Sequence, residues 1–161
     1  IVYNWFTILK QKKNFVTGYV IMPNHLHLLA YYSGIRQSLN TIIGNGKRFM
    51  AYEIVKRLKE AKLDDILIKL RNDVKPKDRA RGKIHEIWTD SFDVKECTTE
   101  NFILQKLNYI HNNPCSGKWK LAPDPLHYPH SSASFYISGK AGIYKVTDYR
   151  EFMPISKNER K

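Results

Sequence analysis

Two histidines, His25 and His27, lie one residue apart in the otherwise apolar run GYVIMPNHLHLLA. On a β-strand, residues i and i+2 point to the same face, so the two imidazoles would lie side by side while Leu26 and Leu28 point the other way into the core. Two imidazoles suit a metal ion and leave its coordination shell open, as a catalytic ion requires. Such a pair can equally line a polar groove that holds no metal.

A second group of chemically useful side chains lies in NYIHNNP, residues 108–114. Tyr109 and Asn113 are four residues apart and share one face if the helix keeps its last turn, whereas His111 is rotated by about 200° from Tyr109. Tyr109 is a candidate nucleophile and Asn113 a candidate oxygen ligand, with His111 the rival ligand. Alternatively, Tyr109 is only the edge of a core, and Asn113 only ends the helix, because Pro114 biases it away from helical backbone.

Hydrophobic patterning predicts the elements that position these residues. We expect either two strands or one strand with a break within residues 15–32, divided at Pro23-Asn24. We also expect a long helix over residues 35–62 with weak points at Gly44 and Gly46. The other predicted elements are the end of a helix over Ile1–Leu9, a strand at residues 84–92, and a helix from Thr98 or Thr99 to Asn113.

Two further segments lack clear periodicity. Residues 69–83, KLRNDVKPKDRARGK, are charged and poor in large apolar groups, which predicts an exposed basic loop that either orders on nucleic acid or serves as a mobile linker. Residues 115–161 predict an irregular C-terminal wrap, with at most short strands near residues 133–137 and 143–146.

The composition favours one domain over residues 1–161 with a polyanionic partner. There are 27 Lys and Arg against 15 Asp and Glu, a formal net charge of +12, and nucleic acid is the commonest partner for such a surface. A solvated basic surface without a partner is the alternative. The candidate DNA contacts are Lys47 and Arg48 on the long helix and Lys75, Lys77, Arg79, Arg81 and Lys83 on the basic loop.

Cysteine usage and hydropathy predict a cytoplasmic protein. Cys97 and Cys115 are too few for a disulfide framework and form no Cys-x-x-Cys pair. No apolar run approaches the ~18–20 residues of a membrane span, and the start lacks the order of a signal peptide. Because the chain begins at Ile1, without Met and inside an apolar pattern, we expect that native N-terminal sequence is missing.

Four motifs together resemble one known family. The run GYVIMPNHLHLL closely resembles the His-hydrophobic-His motif of the single-tyrosine HUH transposases, in particular their REP-associated tyrosine transposase-like branch. WTDSF at residues 88–92, YIHNNP at 109–114 and HYPHSSASFY at 127–136 are similar to that branch's later motifs, in the same order.

The resemblance implies an α+β fold, a ferredoxin-like or RRM-like antiparallel sheet backed by helices. The histidines would lie on a central strand and the tyrosine on a helix opposite them. The strand that ordinarily precedes the first helix has no counterpart before Ile1, so either native sequence is missing or that strand is not represented. A sheet edge would then be unpaired or filled otherwise.

The resemblance also implies a metal-dependent endonuclease and strand transferase, a transposase that acts on single-stranded DNA containing a hairpin. Tyr109 would be the nucleophile that forms a 5′-phosphotyrosine intermediate, and His25, His27 and Asn113 would hold Mg²⁺ or Mn²⁺. The protein would be cytoplasmic and nucleoid-associated, as a monomer or a homodimer. Two alternatives stay open: a domesticated or inactive nucleic-acid-binding module on the same scaffold, and a metal-dependent hydrolase that uses water.

Overall fold

A computed structural model describes residues 1–35, 37–89 and 92–153, and over these residues the chain is α+β, with a two-stranded antiparallel sheet and six α-helices. No helix in this part of the chain is long and apolar enough to cross a membrane. The elements are α1 (Val2–Gln11), β1 (Phe15–Ile21), β2 (Leu26–Tyr31), α2 (Leu39–Glu60), α3 (Asp64–Asn72), α4 (Pro76–Arg79), α5 (Glu100–Asn112) and α6 (Ala133–Ser138), with 3₁₀ turns at Asn113–Cys115, Pro125–His127 and Tyr149–Phe152.

The chain divides into two compact units. The first unit comprises Ile1–Trp5 and Gly34–Lys95, and the second comprises Phe6–Ser33 and the chain from Glu96 onward. The prediction of a single catalytic domain over residues 1–161 stays a prediction.

In the second unit, β1 and β2 form a hairpin, so of the two readings of residues 15–32 the two-strand one is right. Ile21 lies opposite Leu26 at the turn. The Met22 N–H donates to the His25 carbonyl at 2.8 Å and closes the turn around Pro23 and Asn24. Proline presets its own backbone angle and asparagine tolerates turn conformations, which explains why the strand breaks here.

Helix α5 packs its apolar face against this hairpin. Ile103, Leu107 and Ile110 are buried and form one core cluster with Val20 and Met22 of the hairpin. The Thr99 hydroxyl accepts from the Phe102 N–H at 3.3 Å and caps the helix, so the helix predicted from Thr98 or Thr99 is confirmed. Gly18 allows the approach, because a Cβ there would lie 2.5 Å from Leu107 Cδ2.

The C-terminal segment bonds along the outer edge of β1, the edge that β2 does not pair. The Ile21 N–H donates to the His130 carbonyl at 2.9 Å, and the Ser132 N–H donates to the Tyr19 carbonyl at 3.0 Å. The hydroxyls of Tyr128 and Tyr136 donate to further β1 carbonyls, each at 2.6 Å. These bonds satisfy backbone groups that a neighbouring strand would otherwise pair.

Three local predictions were wrong. Residues 69–83 are not a loop, because α3 and α4 occupy most of them; α4 begins with proline at its first position, where the missing N–H costs nothing. Residues 84–89 and Phe92 form no strand, and Asp90 and Ser91 lie outside the described residues. Residues 133–137, where the sequence predicted a short strand at most, belong to helix α6, which ends at Gly139 in the left-handed conformation. Residues 143–146 form no strand, which that prediction allowed.

In the first unit, α2 runs without interruption through both of its glycines. The Ser38 hydroxyl caps it by accepting from the Thr41 N–H at 3.3 Å. Gly46 is buried against the Trp5 indole, whereas a Cβ at Gly44 would meet nothing within 4 Å. Gly44 is therefore only a weak helix former, and Gly46 is required by packing.

Replacing each glycine of α2 by alanine should change stability in opposite directions. Gly44→Ala should raise the free energy of unfolding by about 0.5–1 kcal/mol, because alanine loses less backbone entropy in a helix. Gly46→Ala should lower it by about 1–3 kcal/mol, because the flat, rigid indole of Trp5 has to move. Urea denaturation of the three proteins measures both changes. Equal effects at the two positions would contradict the packing assigned to Gly46.

A buried histidine connects α5 to the C-terminal segment. His111 is 5% exposed, and its Nε2 lies 2.8 Å from the Ser132 hydroxyl. Burial lowers its pKa to about 4 from the ordinary 6.5. At neutral pH His111 is therefore uncharged, and its Nε2 shares a hydrogen bond with the serine hydroxyl.

Acidification should destabilise the protein through His111. The unfolded chain binds a proton at this residue below pH 6.5, whereas the folded chain does not until about pH 4. The contribution of neutral His111 to the free energy of unfolding is therefore complete above pH 6.5. As the pH falls towards 4, the free energy of unfolding decreases by at most about 3 kcal/mol. Urea denaturation from pH 7.5 to 4.5 should give a shallower pH dependence for His111→Gln than for the parent chain. An equal pH dependence in the two proteins would contradict the burial assigned to His111.

Candidate metal and tyrosine site

The two histidines stand where β2 leaves the hairpin turn. Their rings are 4.9 Å apart between centroids and lie edge to face, with an interplanar angle of 80°. Leu29, which follows in the same alternation, packs against the core cluster beneath α5. The histidine face of β2 is therefore the face covered by α5. Leu26 and Leu28, expected to be in the core, are only half-buried.

The end of α5 brings Tyr109 and Asn113 to these rings. Asn113 keeps helical backbone angles, with φ −56° and ψ −44°, and the chain continues through Pro114 as a 3₁₀ turn. Pro114 therefore does not swing Asn113 off the helix face. Tyr109 is 58% exposed, and its ring centroid lies 5.3 Å from that of His27, again edge to face.

The amide of Asn113 lies between the two imidazoles. Its Oδ1 is 3.3 Å from His25 Nε2, and its Nδ2 is 3.3 Å from His27 Nε2. Asn113 lies 88 residues after His25 and 86 residues after His27 in the sequence, so tertiary packing alone brings the three side chains together.

His111 takes no part in this group. It is buried on the opposite side of α5 and bonded to Ser132, as the helical spacing predicted for a residue rotated away from Tyr109. Ser132 also accepts from the Tyr19 N–H at 2.9 Å. In HYPHSSASFY, the residues Tyr128, Ser132 and Tyr136 thus anchor the C-terminal segment to β1.

Sequence patterns indicated no functional role for Asn24, which the structure places beside His25. The Asn24 Oδ1 lies 2.7 Å from His25 Nδ1. The available signal was an amide residue directly before the histidine pair in a turn, but turns contain asparagine for backbone reasons alone.

Burial favours the neutral form of His27. Loss of solvent lowers the pKa of His27 below its ordinary 6.5, and the neighbouring His25 lowers it further. A neutral imidazole offers a nitrogen lone pair, which is the form that binds a metal ion.

These donors fit a divalent cation. Two ligand atoms at right angles, each about 2.1–2.2 Å from an ion, lie about 3 Å apart, close to the 3.3 Å between the Asn113 Oδ1 and His25 Nε2. Two imidazoles and an amide oxygen suit Mn²⁺ at least as well as Mg²⁺, which prefers oxygen. Within the described residues, no three His, Cys, Asp or Glu side chains form a group that could hold a metal ion.

The predicted DNA contacts all belong to the first unit. Lys47 and Arg48 lie on α2, where the Lys47 Nζ donates to the Thr89 carbonyl at 3.1 Å and Arg48 donates to the Asn45 side chain at 3.2 Å. The other five, Lys75, Lys77, Arg79, Arg81 and Lys83, lie in and around α4.

Two of these cations line an open cavity of about 260 Å³, together with Arg71, Gly82 and Ile84. Arg79 donates to the Arg71 carbonyl at 3.1 Å, and Lys83 pairs with Glu86 at 2.5 Å. From the resemblance motif WTDSF, the Trp88 indole N–H donates to the Lys47 carbonyl at 2.8 Å. Trp88 of this motif therefore bonds to α2 within the first unit.

Comparisons with protein-family models, with curated proteins and with solved structures gave no significant match for this chain.

Metal affinity should depend on the residues that converge at the end of α5. Asn113→Ala should weaken Mn²⁺ binding by about 10–100-fold, because one oxygen donor is lost while both imidazoles remain. His27→Ala should weaken it further. Isothermal titration calorimetry with MnCl₂ measures both changes. The control is His127→Ala, which removes an exposed imidazole paired with Asp124 and should leave the affinity unchanged; equal losses in all three variants would place the ion elsewhere.

Proposed function

We propose that this protein is a metal-dependent endonuclease and strand transferase for single-stranded DNA, in which Tyr109 forms a covalent 5′-phosphotyrosine intermediate. The observation that supports this most directly is the convergence of His25, His27 and Asn113 beside an exposed tyrosine. The four residues fall within two of the four motifs that resemble the single-tyrosine HUH transposases. We further propose that the sheet and helices belong to that family's ferredoxin-like or RRM-like fold.

The proposal assigns separate roles to the four residues. His25, His27 and Asn113 would hold Mg²⁺ or Mn²⁺, which when bound supplies charge that stabilises a phosphate during attack. Tyr109 stands beside this group and, being exposed, is accessible to a phosphodiester. Its edge-to-face contact with His27 restricts the ring without burying the hydroxyl.

The reaction is a transesterification at phosphorus. The Tyr109 Oη attacks the scissile phosphate, a P–Oη bond forms, and the bond from phosphorus to the 3′ oxygen of the preceding nucleotide breaks. The tyrosine proton is lost as the nucleophile forms, and the leaving 3′ oxygen takes up a proton. The phosphodiester is exchanged rather than hydrolysed, so a 3′-hydroxyl from another strand can reverse the step and join the DNA. Neither water nor ATP is consumed.

The charge of the chain supports DNA as the substrate. A net charge of +12 attracts a polyanion, and we propose that Lys47, Arg48 and the cations around α4 bind phosphates. The preference for a hairpin and a cytoplasmic, nucleoid-associated location follow from the resemblance. Both a monomer and a homodimer are compatible with this proposal.

Incubation with DNA tests the nucleophile. Labelled single-stranded hairpin DNA with Mn²⁺ should give a protein–DNA adduct that survives denaturing electrophoresis, and Tyr109→Phe should abolish the adduct. DNA affinity, measured by fluorescence anisotropy, should stay within about twofold, because the hydroxyl is a reactant and contributes little to binding. Tyr52→Phe, at a tyrosine that is 71% exposed on α2, is the matched control and should form the adduct normally.

The same assay separates the proposal from its alternatives. An adduct that persists in Tyr109→Phe would assign the nucleophile to another residue. DNA binding without any cleavage would indicate a binding module, and cleavage without an adduct would indicate hydrolysis by water.

A further inference from the structure

We propose that Asn24 is a positioning residue that holds His25 in the tautomer with its hydrogen on Nδ1, so that the Nε2 lone pair is directed to the bound cation. This inference rests on the metal-binding role proposed above for His25. It concerns a residue outside the ligand set, and it predicts a property of the protein before any metal or DNA is added.

The turn geometry presents the Asn24 side chain to one edge of the His25 ring. The Met22 N–H to His25 carbonyl bond closes the turn, and Pro23 restricts its backbone. Asn24 is exposed, yet its Oδ1 lies 2.7 Å from the adjacent Nδ1, a short hydrogen bond. Because an amide oxygen only accepts, the hydrogen of this bond belongs to His25 Nδ1.

The hydrogen bond at Nδ1 decides what Nε2 can do. A neutral imidazole carries one hydrogen, so with Nδ1 protonated the Nε2 bears a lone pair. That lone pair faces the Asn113 Oδ1, another acceptor, at 3.3 Å. Two acceptors at this distance repel each other in the neutral state, and a cation held by both would offset that repulsion.

The second imidazole has the matching arrangement. The Asn113 Nδ2 donates to His27 Nε2 at 3.3 Å, so this nitrogen also carries its lone pair towards Asn113. Both Nε2 atoms are therefore acceptors that point at one amide. Hydrogen bonding at the other ring nitrogen commonly fixes the tautomer and orientation of histidines that bind metals, and Asn24 provides that bond for His25.

Nuclear magnetic resonance of the metal-free protein tests the tautomer directly. In ¹⁵N-labelled protein at alkaline pH, the ¹⁵N shifts and two-bond couplings of the His25 ring should report hydrogen on Nδ1 in the parent chain. Asn24→Ala should shift the population towards hydrogen on Nε2, the form that neutral histidine prefers in water. Asn24→Asp keeps an acceptor at the same position and should retain the Nδ1–H form.

Manganese affinity provides the second readout. By calorimetry, Asn24→Ala should bind Mn²⁺ about 10–100-fold more weakly, the usual cost of removing such a partner, and Asn24→Asp should recover most of that loss. The matched control is Asn112→Ala, because the Asn112 amide bonds to Asn108 at 2.8 Å within α5. In Asn112→Ala, the His25 tautomer and the Mn²⁺ affinity should both equal those of the parent chain.

The outcomes separate this inference from the proposed function. Hydrogen on Nε2 in the parent chain, or an unchanged tautomer and affinity in Asn24→Ala, would overturn the role of Asn24. Loss in Asn24→Asp equal to that in Asn24→Ala would also overturn it. If the tautomer and affinity change as expected while no DNA adduct forms, the positioning role stands and the transferase proposal fails.

Discussion

The packing of α5 across the β1–β2 hairpin is the interaction on which the candidate site depends. Leu107 and Ile110 lie against Val20, and this contact fixes which face of the hairpin the helix covers. Because side chains alternate along a strand, the covered face is also the face that carries the histidines. The helix in turn repeats every 3.6 residues, so its exposed Tyr109 and the residue that follows the helix, Asn113, emerge on the side of the imidazoles. A one-residue slip in the strand would send both imidazoles to the other face.

A two-stranded hairpin is marginally stable by itself, and here the C-terminal segment supplies the missing support. The segment bonds to backbone groups along the outer edge of β1 through Ser132, Tyr128 and Tyr136. Its link to α5 through His111 holds the helix and the strand to the same third element. The segment that looks least regular in sequence is therefore the one that completes the sheet edge. Side-chain hydroxyls can do this because backbone acceptors need a donor, whatever element provides it.

The site itself combines polar groups that have little intrinsic reason to be adjacent. The Asn113 amide lies 3.3 Å from the Nε2 atom of each imidazole. Hydrogen bonds at such a half-buried position contribute only modestly to folding stability. Both Nε2 atoms point at the same amide. Burial of His27 lowers its pKa and so favours the neutral ring, and the neighbouring His25 adds to the effect. The tyrosine stays accessible at the edge of this group. This convergence of ligand atoms beside an exposed tyrosine is the observation on which the proposed cation site and the proposed reaction rest.

The sequence by itself determined the elements with strong periodicity: strand structure within residues 15–32, a helix that begins at Thr98 or Thr99, and the pairing of the two histidines on one strand face. It also determined that Tyr109 and Asn113 share a helix face and that His111 does not, since this follows from helical rotation alone. It did not predict α3, α4 or α6, because charged or short helices bury little apolar surface and leave a weak periodic signal. Only the tertiary structure decided that residues 86 to 88 positions apart meet at one point, that the C-terminal segment pairs with β1, and that Asn24 bonds to His25. The physical reason is that local patterns fix which face a residue occupies, whereas distances between elements are set by packing, which no local pattern records.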